Sequence, residues 1–338
     1  MLNSENTRRV GRQGLRVSAL ALGCMGLTTL YGQDTTAANP HEVINRALDL
    51  GVTLIDTSDA YGPFTNEEAV GRAIRHRRDE VVLSTKFGVV RRESQGDGLA
   101  AVGVSGHPDY VKRACEASLR RLQTDRIDLY IQHRLDPDTP IEETVGAMGE
   151  LVQAGSVRYI ALCEVGPETI RRGHATFPLS AVHSEYSLWS RDPEDAVLRV
   201  VRELGLGFLP YSPLGRGFLT GRIRSFDDLA PDDWRRHSPR FQGANFARNL
   251  DLVDRVRDIA AAKGVTSAQL ALAWILAQGD GIVPVQGATK VSELEENLAA
   301  VEVVLTPDDL ARVDAAAPRG GAAGAAWPAG SVGAMIDR

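Results

Sequence analysis

Short apolar runs rich in β-branched residues alternate with amphipathic segments along the whole chain. The strand candidates are "VSALALG", "VTLIDT", "EVVLSTK", "IDLYIQH", "VRYIALC", "LSAVHSEYS", "LGFLPYS" and "GIVPVQGA". Between them lie "PHEVINRALDLG", "NEEAVGRAIRHR", "PDYVKRACEASLRRL", "IEETVGAMGELVQAG", "PETIRRGHATF", "PEDAVLRVVRELG", "NLDLVDRVRDIAAAKG" and "VSELEENLAAV". In these the apolar positions recur at helical spacing. Several open on Pro and close on Gly, the expected capping asymmetry. The strands are nearly continuous apolar runs, as in a parallel sheet covered on both faces. Eight strand-then-helix units predict a single (β/α)8 TIM barrel, for which roughly 250 residues plus insertions is usual. A doubly wound sheet is the alternative that the same pattern allows.

The barrel is expected to span about residues 8 to 315, with an Ala/Gly-rich tail from 316 to 338. That tail, "AAAPRGGAAGAAWPAGSVGAMIDR" with one residue before it, reads as flexible; folding over the rim through Trp327 is the other reading. Two segments exceed an ordinary connection: Gly88 to His107, and Gly217 to Asn245 with Trp234, an Arg run and "SPRFQG". Both follow strands, so in a barrel both fall on the catalytic rim.

Composition narrows the class without changing the fold. Hydrophobic content of 43% and charged content of 24% in 338 residues suit a globular protein with a large core. A net charge of −6 argues against nucleic acid as partner. The three cysteines, Cys24, Cys115 and Cys163, lack disulfide-framework or metal-type spacing and suit a reducing cytoplasm. The polar start, Met1 to Gln13, has no signal-peptide core. The longest apolar run, "LALAWILA", is too short to span a membrane.

Polar residues at strand C-termini are the catalytic candidates in a barrel. The second strand ends at Asp56, with Tyr61 in its loop; the third ends at Lys86 and the fourth at His133. Each has a duller reading alone: a loop cap, a ring packed on Pro63, a solvated strand end and a core histidine. Together they suit proton transfer to a carbonyl oxygen. A free Tyr has a pKa of about 10, and a nearby ammonium lowers it. Tyr61 would be the general acid, Lys86 its tuner, Asp56 the anchor of Lys86, and His133 the polariser of the substrate oxygen.

"IDTSDAYG", "STKFG" and "LYIQHR" resemble the catalytic signatures of the aldo-keto reductase superfamily, in order and spacing. "YSPLGRGFLTGR", "SPRFQG" and "GATKVSELEENL" extend the resemblance over about residues 8 to 315. It is strongest to the bacterial branch that also resembles potassium-channel β-subunits and auxin-induced reductase-like proteins. The resemblance implies a nicotinamide cofactor bound without a Rossmann fold. "GDGLAA" (Gly96 to Ala101) mimics the dinucleotide fingerprint but lies outside a strand–helix context. The resemblance assigns Tyr211 to stacking on the nicotinamide, and Ser212, Pro213, Leu214, Gly215 and Gly217 to the loop along the pyrophosphate. It assigns Arg222 and Arg240 to the phosphates and places Met25 and Asp56 in the same site. Gly287, Thr289 and Lys290 match the adenosine-phosphate cradle before the last helix, with Glu296 and Asn297 at the adenine. By pattern alone "SELEENL" is an ordinary solvated helix face.

Three positions depart from the family pattern. Cys163-Glu164 stands where relatives carry Ser-Glu or Ser-Asn at the nicotinamide carboxamide, and a thiol is a weak hydrogen-bonding group. His183 stands where relatives carry Gln. Glu293 stands where relatives often carry Arg or Gln beside the adenosine 2′-phosphate, so NADPH is the family expectation and NADH stays open.

The implied activity is NAD(P)H-dependent reduction of a small-molecule aldehyde or ketone in the cytoplasm, with no nucleic acid or membrane partner and homo-oligomerisation left open. Met25, Leu27, Tyr31, Phe64, Phe87, Trp189 and Trp327 are expected to wall the pocket for a bulky apolar carbonyl. A secondary-metabolite ketone or keto-sugar is the substrate conjecture. Two alternatives remain: a non-redox lyase or isomerase using the same four residues, and a cofactor-sensing module like channel β-subunits.

Overall fold

The computed structural model describes residue 2 and residues 6–28, 39–93 and 99–337, with the side chains of 92, 93 and 99–102 excepted. The chain opens on an antiparallel hairpin of β1 (Thr7–Val10) and β2 (Leu15–Ser18), turning through Gly11 and Gly14, which have φ of +75° and +95°. Val10, Leu15 and Val17 pack among inward-facing barrel residues such as Ala21, Leu54 and Leu129, so the hairpin plugs the barrel's N-terminal end. This hairpin was not among the predicted strands.

The barrel strands are β3 (Ala21–Gly23), β4 (Leu54–Asp56) and β5 (Val82–Phe87). After β5 comes a second antiparallel hairpin, β6 (Val89–Glu93) with β7 (Leu99–Val104), inside a segment the sequence read as loop. The barrel continues with β8 (Ile127–Gln132), β9 (Val157–Cys163), β10 (Ala181–Glu185), β11 (Gly207–Tyr211) and β12 (Val285–Gly287). These eight strands close in parallel in the order β3-β4-β5-β8-β9-β10-β11-β12. The predicted (β/α)8 TIM barrel is therefore the fold.

Helices cover the outside. They are α1 (Pro40–Asp49), α2 (Thr65–Ile74), α3 (Pro108–Leu122), α4 (Ile141–Gln153), α5 (Pro167–Thr176) and α6 (Val197–Leu204), followed by α7 (Gly243–Lys263), α8 (Ser267–Leu276), α9 (Val291–Leu298) and α10 (Pro307–Ala316). Pro40, Pro108, Pro167 and Pro307 each start a helix, where a missing amide proton costs nothing. α8 was missed because Leu270 to Ile275 are all buried, leaving no polar face to give a helical period. Among the described residues no single helix is long and apolar enough to cross a membrane.

Strand residues alternate in direction. Leu54, Leu129, Ile131, Ala161, Ala181 and Leu209 fill the barrel interior, while their sequence neighbours pack under the helices. Two residues beyond an inward apolar position is again inward. Asp56, Lys86, His133, Cys163, His183 and Tyr211 thus form the top of the interior stack.

The tail, expected to be flexible, lies over that top. The carbonyl of Ala326 accepts from Arg216 (2.7 Å), and Trp327 packs on Trp234 with ring centres 5.2 Å apart. The Asp337 carboxylate accepts from the Gly166 amide (3.0 Å) and the Thr169 hydroxyl (2.5 Å) at the start of α5.

Candidate active site

Asp56, Tyr61, Lys86 and His133 come together at the C-terminal mouth. Lys86 is 1% exposed, and its ammonium donates to Asp56 Oδ2 (2.5 Å) and to the Thr57 carbonyl (2.8 Å). Ser84, which pairs in register with Asp56, donates to Asp56 Oδ1 at 2.8 Å. Both carboxylate oxygens are therefore held. Lys86 Nζ lies 5.1 Å from the centre of the Tyr61 ring, and that ring meets His133 edge-on at 5.9 Å.

Burial acts against the Lys86 ammonium, but Asp56 and Tyr61 outweigh it and hold its pKa above the ordinary lysine value. The Tyr61 phenol is pushed up to about 12, because desolvation outweighs the pull of Lys86. This corrects the expectation that Lys86 would leave Tyr61 with a lowered pKa: the ammonium limits the rise without reversing it. His133 is held well below its usual range by burial and by the cations Arg134 and Lys86, so its imidazole is neutral. Ser58 Oγ lies 3.2 Å from His133 Nδ1. With Ser58 donating, the ring carries its proton on Nε2, where it can donate to a ligand oxygen. The cluster thus holds a protonated phenol, a fixed ammonium and a neutral imidazole donor.

A groove of about 330 Å³ runs from Asp56 and Tyr61 along Tyr211, Ser212, Pro213 and Leu214. It passes Met25, Gly217 and Arg222 and ends among Gly287, Thr289, Lys290, Glu293, Glu296 and Asn297. Gly215, Arg216 and Gly217 have consecutive φ values of +56°, +57° and +88°. A Cβ at Gly215 would stand 2.6 Å from the Trp189 ring, so the chain can pass there only as glycine. Cys163, Glu164 and His183 do not line the groove; they lie deeper in the mouth. Glu164 Oε1 accepts from the Glu185 amide (2.7 Å), and burial raises its pKa. Burial likewise pushes the Cys163 thiol up to about 12, keeping it neutral. His183 is 1% exposed, its Nδ1 has no hydrogen-bond partner, and burial beside Lys86 and Arg134 keeps it neutral.

Arg240 does not reach the groove. It is buried against Glu185 (3.0 Å), Ser190 (2.6 Å) and the Trp189 ring, so the expected phosphate contact is replaced by an internal ion pair. Leu27 and Phe87, expected as pocket walls, belong to the layer between strands and helices, with Phe87 stacked on Tyr130. Phe64 lies against Arg121, and Trp189 packs on Phe218 and Phe241. Tyr31 and Gly96 to Gly98 lie outside the described residues. The sequence reading gave no role to Arg134, Arg216 or Arg235. Arg216 and Arg235 line the groove, and Arg134 lies buried in the mouth. The placement of Arg216 between Gly215 and Gly217 was the available signal.

The model of the aldo/keto reductase family matches residues 19–318. The chain belongs to that family. A probable aldo-keto reductase 1 from Glycine max is 43% identical over 317 residues, covering 94% of this chain and 90% of that one. Among solved structures, a glycerol dehydrogenase from Gluconobacter oxydans superposes with a TM-score of 0.83 at 29% identity, covering 93% and 95% of the two chains. An aldo/keto reductase from Klebsiella pneumoniae, in complex with NADP and acetate, gives 0.70 at 28% identity, covering 93% and 96%. Membership makes this aldo/keto reductase an oxidoreductase of carbonyl compounds that uses a nicotinamide cofactor.

The residues present fit such a cofactor. The groove starts at the cluster and ends at a helix N-terminus, where amides favour anions. The unpartnered His183 Nδ1 offers a polar contact at the deep end. The outer end is answered by the chain itself. The Glu293 carboxylate accepts from the Thr289 amide (3.0 Å), the Thr289 hydroxyl (3.1 Å) and Arg222 (3.1 Å), and Arg222 also reaches Glu296 (2.5 Å).

Proposed function

We propose that this reductase converts an aldehyde or ketone to an alcohol, with Tyr61 as the proton donor to the carbonyl oxygen. The observation that carries the reading is the buried Lys86–Asp56 pair beside Tyr61 and neutral His133, opening on the groove. When bound, the nicotinamide supplies the hydride. His133 orients the carbonyl oxygen through Nε2, and Tyr61 protonates the alkoxide as it forms. Lys86 limits the cost of the phenolate left behind, and Asp56 with Ser84 fixes Lys86. Tyr211, Cys163, Glu164 and His183 would hold the nicotinamide end. Ser212 to Leu214, Gly215 and Gly217 would hold the pyrophosphate, and Gly287, Thr289, Lys290, Glu296 and Asn297 the adenosine end. NADPH is the expected cofactor, in keeping with the NADP complex of the Klebsiella relative. Loss of cofactor absorbance on adding a panel of aldehydes and ketones tests the reading; a panel that gives no turnover with either cofactor overturns it. Cofactor that survives purification with only slow turnover would instead favour the sensing module. The non-redox alternative has lost its ground with the family assignment.

Glu293 already occupies the amide and hydroxyl of Thr289. Glu293→Arg removes that carboxylate and adds a phosphate partner. The ratio of kcat/KM for NADPH over NADH is expected to rise about ten- to a hundredfold, the worth of one charged hydrogen bond. An unchanged ratio would place residue 293 away from the phosphate.

The pH profile follows from the same groups. The acid form of Tyr61 is lost only as pH rises toward about 12, and His133 is already neutral well below its usual range. The kcat for reduction is expected to stay flat from about pH 6 to about pH 9, with no His-like limb. A profile that bends near an ordinary histidine pKa would contradict the neutral assignment of His133.

A further inference from the structure

The mouth holds a buried cation, Arg134, with no carboxylate in direct contact among the described residues. Lys86 is matched by Asp56, and Arg216 and Arg240 share Glu185. Arg134 is 3% exposed and has no carboxylate within ion-pair distance among the described residues. Its contacts are neutral: the His133 carbonyl (2.7 Å), the Cys163 sulfur (3.5 Å) and the Gly333 carbonyl (3.4 Å). Its Nε has no acceptor at all. Burial acts against the guanidinium, but Glu164 and its other neighbours act on it electrostatically without forming an ion pair and keep it charged, with its pKa above the ordinary arginine value.

A buried guanidinium is costly unless paired and fully hydrogen-bonded. Tail anchoring does not require it, because the tail is held by Arg216 at Ala326 and by Asp337 on α5. A second donor is in the same state. Trp327, whose ring centre is 5.6 Å from the Arg134 guanidinium, has a buried Nε1 with no acceptor. Both lie over the mouth, and Arg134 directly follows His133.

We propose that Arg134, backed by Trp327, is the anion end of the substrate site, so that the preferred substrate is an aldehyde or ketone carrying a carboxylate. This rests on the carbonyl-reductase reading above. A carboxylate accepts two parallel hydrogen bonds from one guanidinium and brings one negative charge. The unpartnered Nε edge of Arg134 offers that contact. The proposal replaces the bulky apolar carbonyl suggested by the pocket walls, several of which are core residues.

The test is a matched pair. Reduction of 4-carboxybenzaldehyde is compared with that of its methyl ester, with the same cofactor. The acid is expected to show at least about tenfold higher kcat/KM, the scale of one charged hydrogen bond. Arg134→Met is expected to bring the acid-to-ester ratio close to one. An ester reduced as well as the acid by the wild type overturns the proposal. A second measurement needs no variant. Benzoate is expected to quench tryptophan fluorescence of the wild-type holoenzyme and to inhibit ester reduction competitively, whereas benzamide does neither. Equal effects of benzoate and benzamide count against Arg134. If neither aldehyde is reduced, the carbonyl panel above decides the reductase reading, and benzoate against benzamide binding still decides the anion site.

Discussion

Replacing Tyr61 by phenylalanine is expected to lower turnover by about 10²-fold or more, the usual contribution of a positioned general acid. The ring keeps its edge contact with His133 and its place beside Lys86, so the cluster retains its packing. Cofactor affinity is expected to stay near the wild-type value, because the proton is donated at the carbonyl oxygen and not to the nicotinamide. Steady-state kinetics and a cofactor titration on the same preparation separate the two effects. Unchanged turnover would remove Tyr61 from the role of acid. A parallel loss of cofactor affinity would make the phenol a binding group.

Lys86→Met acts on the same site through charge. Lys86 and Asp56 are almost fully buried, and the ammonium answers one carboxylate oxygen while Ser84 answers the other. Removing only the cation leaves a buried carboxylate short of a partner, at a cost of about 3–5 kcal/mol in unfolding free energy. Denaturant unfolding should show this as a shifted midpoint. The Tyr61 pKa is expected to climb further once the ammonium that limits it is gone, and turnover to fall by about 10²-fold or more. A variant as stable and as active as the wild type would mean that the pair neither holds the mouth together nor tunes the phenol.

The barrel was legible because each strand is a short apolar run set between helix caps and turns. The active cluster was legible because strand alternation carries the inward direction from Leu54 to Asp56 and from Ile131 to His133. The first hairpin was hidden by Arg8, Arg9, Arg12 and Arg16, which mask the alternation of Val10, Leu15 and Val17. Arg240 was misplaced because its partner Glu185 is 55 residues away, and a local motif does not say which distant carboxylate a strand delivers. The direction of the Tyr61 shift needed the degree of burial, which spacing does not give. The same holds for Arg134: its position after His133 was readable, but its lack of a direct ion-pair partner among the described residues was not.

The most direct test of the account is a titration of the purified protein with NADPH and, separately, NADH, followed by tryptophan fluorescence. The groove past Tyr211 and Gly217 runs close to Trp189, which lies against Gly215. The account requires saturable quenching by at least one of the two. Saturation by neither would contradict it, because the groove between Tyr61 and α9 would then not be a nicotinamide site.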